Sequence, residues 1–385
     1  MRQLQLILAA FLALLSPTLA RADAPDPEKP GPYPVGVTSI PLADESRMDS
    51  ALNAPRPLMA EIWYPAADSA RGAEPTKFTD FYMNGENEQM NLILSMAFKF
   101  DIATMDERFK TIAVRDAEIA EGTFPLIIFS HGNGGMRAQS TFWCDHLASH
   151  GYIVAAVDHT RNACATPYGT GVIPFDRQGR GQAAIDRPKD VSFLIDAMAE
   201  MNGDAESRFH GRVDLEKIGV GGHSFGGFTA MGAQHHDARI KAIVPKAAVV
   251  PEYTQASSVP LLMFIATEDA TINAQGNAAA RYYFEQTEAP KYLVEMPDAG
   301  HYSFSDMYQI NPAWGDGVGE GERITNGEPI TYLGMERVHR LTNGYTTAFF
   351  GKHLKDEARY AEYLNENRDP EAMIHAVGNV AEGAE

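Results

Sequence analysis

The sequence predicts an α/β protein with a mainly parallel central sheet and helices on both faces. Three observations carry this expectation. Short apolar runs alternate with amphipathic segments from residue 125 onward, the pattern of βαβ units. One of those runs ends in a serine framed by glycines, the turn such a sheet uses between a strand and its helix. The chain of 385 residues suits one large α/β unit.

The elements follow in order. Residues 23–34 are a Pro-rich entry segment. RPLMAEIWYPA (56–66) mixes apolar and aromatic residues and ends at proline, so it is expected to be a strand. Residues 88–110 are Met-rich and carry apolar side chains at helical spacing. PLIIFS (125–130) predicts a buried strand, and STFWCDHLASHG (140–151) a helix closed by Gly151. YIVAAVDHT (152–160) is the next strand and DRPKDVSFLIDAMAEMNG (186–203) the next helix. KIGVGGHS (217–224) reads as a strand with a helix behind it. IKAIVPKAAVV (240–250) and VPLLMFIATED (259–269) read as strands, NAAARYYFEQT (277–287) as a helix and KYLVEMP (291–297) as the last strand. Residues 334–354 form a closing helix, and the polar tail 365–385 is expected to be poorly ordered. The expected division is a signal peptide (1–22), an N-terminal extension (23–55) and one α/β domain (56–364). That domain carries a helical insertion near 82–110 and a loop insertion near 307–333.

Arg2 precedes an apolar stretch, Leu4 to Leu15, that is too short to span a bilayer. Ala20-Arg21-Ala22 fits a small-x-small cleavage site, so the segment reads as a secretory signal, with an uncleaved anchor as the alternative. Loss of Arg2 and Arg21 with residues 1–22 takes the formal charge from −19 to −21. This balance argues against nucleic acid and polyanionic partners. Cys144 and Cys164 are the only cysteines, and their pairing is left open.

Gly222-His223-Ser224-Phe225-Gly226 is G-x-S-x-G, a nucleophile elbow if a strand precedes it and a helix follows. A serine needs a base, and the base needs a third group to orient it. Ser224, Asp269 and His301 each lie just beyond a strand, in the chain order of the α/β-hydrolases. Of the twelve histidines, His301 alone lies in the loop after the last strand. His146 and His150 stand four apart on a helix, the spacing of a metal pair, but no matching third ligand is visible. Glu268 and Asp298 are the alternatives to Asp269. The glycine-rich FSHGNGGMRA (129–138) follows a strand, where an oxyanion donor is expected. The backbone N–H groups of Asn133 and Phe225 are the candidate donors.

EIWYPA, PLIIFSHGNGG, LASHGYIVAAVDHT, RPKDVSFLID and GVGGHSFGG occur in the order seen in one known family. From about Arg56 to Leu354 the chain resembles the platelet-activating-factor acetylhydrolases and their bacterial relatives, the predicted dienelactone hydrolases. The resemblance implies a serine carboxylic-ester hydrolase fold with oxyanion donors at Asn133 and Phe225. Two departures matter. The animal acetylhydrolases carry the acid after the strand that follows the nucleophile's helix, where this chain has Lys246 and no carboxylate. Dienelactone hydrolases proper use cysteine, where this chain has Ser224. Secreted polyester hydrolases share LASHG-type segments and the same triad order.

The expectation is an exported (periplasmic or secreted) ester hydrolase acting on short-chain, lipid-like or polyester-like esters. It needs no cofactor or metal, binds no nucleic acid and keeps no stable membrane insertion after signal cleavage. An amidase or peptidase with the same triad, or a non-catalytic binding protein of this fold, are the alternatives. Residues 82–110 could form a lid or pack in the core. Residues 307–333, with Trp314 as their large apolar anchor, are expected to shape the cleft.

Overall fold

A computed structural model describes residues 24–379. The signal-peptide expectation for residues 1–22 lies outside these residues, as does the end of the tail. Fourteen strands are described. They are β1 (Val35–Asp49), β2 (Ala54–Pro65), β3 (Ala113–Arg115), β4 (Phe124–Ser130), β5 (Ile153–Asp158), β6 (Ala165–Tyr168) and β7 (Gly171–Pro174). Then come β8 (Val213–His223), β9 (Ile240–Lys246), β10 (Leu261–Ala266), β11 (Lys291–Met296), β12 (Glu320–Glu322), β13 (Pro329–Thr331) and β14 (Ile374–Gly378). Ten of them form one sheet in the order β14-β11-β10-β9-β8-β4-β5-β2-β1-β3. The run from β5 through β4, β8, β9 and β10 to β11 is parallel. Pairs β6/β7 and β12/β13 are separate hairpins.

The strand periodicity explains the two layers. Ile127 and Phe129 of β4 point into a core with Trp143 and Leu147 of α3 (Thr141–Ser149) and Leu341 and Tyr345 of α8 (Met335–Leu354). Leu126 and Ile128 point the other way. They meet Leu194 of α4 (Arg180–Gly203), Met231 of α5 (Phe225–His236) and Tyr283 of α6 (Asn273–Gln286). With both faces covered, β4 is buried along its whole length, as its unbroken apolar sequence predicts.

Several boundaries differ from the expectation. The extension 23–55 is not a separate piece, since β1 pairs antiparallel with β2 and sits within the sheet. The tail is ordered at least to Gly378, because β14 pairs antiparallel with β11. This gives the outer edge of β11 hydrogen-bond partners that its backbone requires. The segment 88–110 is two helices rather than one. Asn87 caps α1 (Glu88–Phe98) by accepting from the Met90 N–H at 2.9 Å, and Lys99 ends it at φ 54°. The short α2 (Met105–Arg108) follows. Met90, Leu94 and Phe98 are buried in the core, while Leu92 and Met96 face out. Cys144 and Cys164 are both buried free thiols. Among the described residues, no helix is long and apolar enough to cross a membrane.

Candidate active site

Ser224 sits between β8 and α5 at φ 58° and ψ −120°, a region that costs a non-glycine residue about 1–3 kcal/mol. The flanking glycines permit this turn. A Cβ on Gly222 would lie 2.2 Å from the Gly226 carbonyl oxygen, and one on Gly226 would lie 1.8 Å from that of Ser130. No side chain fits at either position, so G-x-S-x-G is a packing requirement here.

Ser224, His301, Asn133 and Phe225 line one cavity of about 300 Å³. His301 opens a 3₁₀ turn after β11, and Asp269 follows β10. Asp269 Oδ2 lies 2.7 Å from His301 Nδ1, and its Oδ1 accepts from the Ile272 N–H at 2.8 Å. Asp269 is fully buried and His301 nearly so. The alternative acids face elsewhere. Glu268 accepts from the Ile324 N–H and from Arg323, and Asp298 accepts from the same guanidinium.

The glycine-rich loop after β4 approaches the elbow closely, since a Cβ on Gly132 would lie 3.4 Å from that of Ser224. Among the described residues the Asn133 N–H has no backbone hydrogen-bond partner, whereas Gly134 N–H donates to Asn162 O at 2.9 Å. The Phe225 N–H lies in the first turn of α5, where a helix supplies no acceptor. The Asn133 side chain is tied back: its Oδ1 accepts from Asn162 Nδ2 at 2.9 Å, and Asn162 Oδ1 accepts from buried Arg187. If the backbone N–H is the donor, Asn133→Ala should change ester turnover by less than about tenfold. Asn133→Pro removes that N–H and should lose about 10²–10³-fold. Turnover of both variants, once circular dichroism shows them folded, checks this. Equal losses would assign the role to the side-chain amide.

Sequence reasoning missed Asp316. Its Oδ1 accepts from the N–H groups of Ala270 (2.9 Å) and His301 (3.0 Å), and its Oδ2 accepts from the Thr271 hydroxyl (2.7 Å). One carboxylate in the 307–333 insertion thus joins the acid loop to the histidine loop. Its only sequence signal is a carboxylate between glycines, shared by many turns. Tyr302 was also missed; it packs edge-on to Trp314, which contacts Phe98 as well. Phe98 carries the end of α1 into the cavity, so the 82–110 insertion is both core and cavity wall.

Three other histidines have structural partners. His146 and His150 face the Pro27 and Lys29 carbonyls of the entry segment. Burial pushes them to about 3 and about 4, so both are neutral hydrogen-bonding groups. His159 lies between Ser130 and Asp190. Among the described residues no group of three or more His, Cys, Asp or Glu side chains is placed to hold a metal ion.

Lys246 ends β9 opposite His223 in register, and is fully buried. Its Nζ lies over the Trp143 ring at 3.8 Å, with no hydrogen-bond acceptor among the described residues. Burial pushes this ammonium down to about 7, against the opposing pull of Cys144 and Asp306. Between that value and the ordinary 10.5, the unfolded chain binds a proton that the folded chain does not. The fold therefore loses stability as pH falls through this window, and the deficit is constant below it. Lys246→Met should stabilise the protein by about 1–4 kcal/mol near neutral pH. The gain should shrink as pH rises, which urea melts at about pH 6 and about pH 9.5 would check.

Fold and cavity together define an α/β-hydrolase with a buried Asp-His pair beside an elbow serine. The comparisons with known proteins agree with that class. The PET hydrolase-like family model matches residues 113–310, half of the chain, and the model for platelet-activating factor acetylhydrolase, isoform II, matches residues 21–172. The platelet-activating factor acetylhydrolase of Cavia porcellus is 24% identical over 93% of this chain and 86% of that protein. Cutinase est1 of Thermobifida alba is 23% identical over 63% of this chain and 64% of its own length. The solved structure of ferulic acid esterase from Streptomyces cinnamoneus superposes with a TM-score of 0.67 at 26% identity, covering 88% of this chain and 94% of that one. The chain belongs to the PET hydrolase-like family and is an α/β-hydrolase similar to the platelet-activating factor acetylhydrolases. It is a hydrolase of carboxylic esters.

Proposed function

We propose that the protein is an exported serine esterase that works through an acyl-enzyme intermediate. One observation carries the reading: the 2.7 Å contact between Asp269 and His301 Nδ1, in the wall of the cavity onto which Ser224 opens. Asp269 accepts the Nδ1 proton, which leaves Nε2 free to act as base. Ser224 Oγ attacks the ester carbonyl and gives its proton to His301. The N–H groups of Asn133 and Phe225 stabilise the oxyanion. The alcohol leaves with the proton from His301, and water, activated by the same imidazole, releases the acid. No step calls on a cofactor or a metal.

The cavity wall of Phe98, Met136, Met307 and Ile310 is apolar and suits an acyl group. Its modest volume favours a short acyl chain, or the reacting end of a lipid-like or polyester-like substrate. Export to the periplasm or beyond rests on the leader pattern of residues 1–22. A panel of p-nitrophenyl esters of increasing acyl length, run beside the matching anilides, tests the reaction class. Turnover confined to the esters, falling with acyl length, is expected. Faster anilide cleavage, or ester turnover that rises with acyl length, would overturn the reading of a short-acyl esterase.

A further inference from the structure

Two residues outside the proposed triad connect the loops that carry it. The Gly132 N–H donates to Gln139 Oε1 at 2.8 Å. Gln139 Nε2 lies 2.6 Å from His223 Nδ1, and His223 Nε2 lies 2.8 Å from the backbone oxygen of His301. Gln139, His223 and His301 are 6%, 1% and 2% exposed, so these contacts are largely shielded from bulk water.

The direction of every bond in this chain is determined. A backbone N–H can only donate, so Gln139 presents its carbonyl oxygen to Gly132. Its amide nitrogen then faces His223 and can only donate, so Nδ1 must accept. The His301 carbonyl can only accept, so the His223 proton is on Nε2. An imidazolium would set N–H against NH₂. Burial and the neighbouring His301 ring also hold the His223 imidazole far below its ordinary value.

The geometry matters because each end of the chain meets the chemistry. Gly132 precedes Asn133, the proposed oxyanion donor. His223 precedes Ser224, and the His301 carbonyl belongs to the residue whose ring is the proposed base. The Gln139 backbone oxygen also accepts from the Asp306 N–H at 2.9 Å, which ties in the segment beyond His301.

We propose that Gln139 and His223 are positioning residues, whose polarised hydrogen-bond chain sets the oxyanion loop, the elbow and the base in register. The proposal rests on the triad reading above. Misplacing reacting groups by about 1 Å can cost about 100-fold. His223→Phe and Gln139→Met, which keep shape and lose the hydrogen bonds, should each lower kcat by about 10–100-fold with KM within about threefold. The double variant should be little worse than the poorer single one, because either change breaks the same chain. In His223→Gln the amide nitrogen can take the place of Nε2 and donate to the His301 carbonyl, so this variant should recover part of the loss. Multiplicative losses, a loss confined to KM, or no advantage of Gln over Phe would overturn the proposal.

A second measurement does not depend on activity or on any variant being active. With ¹⁵N-histidine labelling, long-range ¹H–¹⁵N spectra of the unaltered protein should show His223 neutral and protonated on Nε2 between about pH 5.5 and 8. The Nδ1–H tautomer, or an imidazolium in that range, would overturn the chain even if the variants fail to fold. Absence of ester turnover in the unaltered protein with the expected tautomer would instead count against the triad reading alone.

Discussion

Ser224→Ala is expected to lower ester turnover by on the order of 10⁶-fold, the loss found when a triad nucleophile is removed from a serine hydrolase. The fold should survive. Ser224 is held in its left-handed conformation by the contacts of Gly222 and Gly226, which alanine leaves unchanged. A thermal melt within a few degrees of the unaltered protein is the expected control. A fluorophosphonate probe should label the unaltered protein at Ser224 and leave the variant unlabelled. Retained turnover in the variant, or labelling at another serine, would remove the proposed mechanism.

Asp269→Asn should cost about 10⁴-fold in turnover. The asparagine side chain can still bond the imidazole, but its NH₂ favours the proton on Nε2, where the base must be free. Glu268→Gln should have a far smaller effect, since Glu268 holds the Ile324 N–H and Arg323 rather than an imidazole. The reverse ranking would move the proposed role to Glu268. Equal, small losses in both would leave His301 without an assigned partner.

Asp316 gives these two effects a common structural basis. It fastens Ala270 and Thr271, next to Asp269, to the backbone of His301. The 307–333 insertion is therefore a brace for the acid and histidine loops as well as a cavity wall. Trp314 contributes by packing on Tyr302, the residue after His301.

The fold class was legible because a buried parallel strand needs an unbroken apolar run. PLIIFS, IVAAV and LLMFIA have no other reading once helical segments separate them. The elbow was legible for a related reason: glycines are required on both sides of Ser224, and that requirement is local. The order Ser224, Asp269, His301 and the candidate loop at Asn133 could be read because each follows a strand. β14 could not be read, because an exposed edge strand needs partners for its backbone and no particular side chains. The sequence favours Asp269 over its neighbour Glu268, but the surroundings that separate the two lie beyond it. Adjacent residues leave a strand end in opposite directions, and only the packed loop has Asp269 facing the imidazole and Glu268 facing Arg323. Gln139, His223 and Asp316 act across 7, 78 and 15 residues of chain to the groups they hold. Hydrogen bonds of that kind carry no periodicity, so tertiary packing alone decides them.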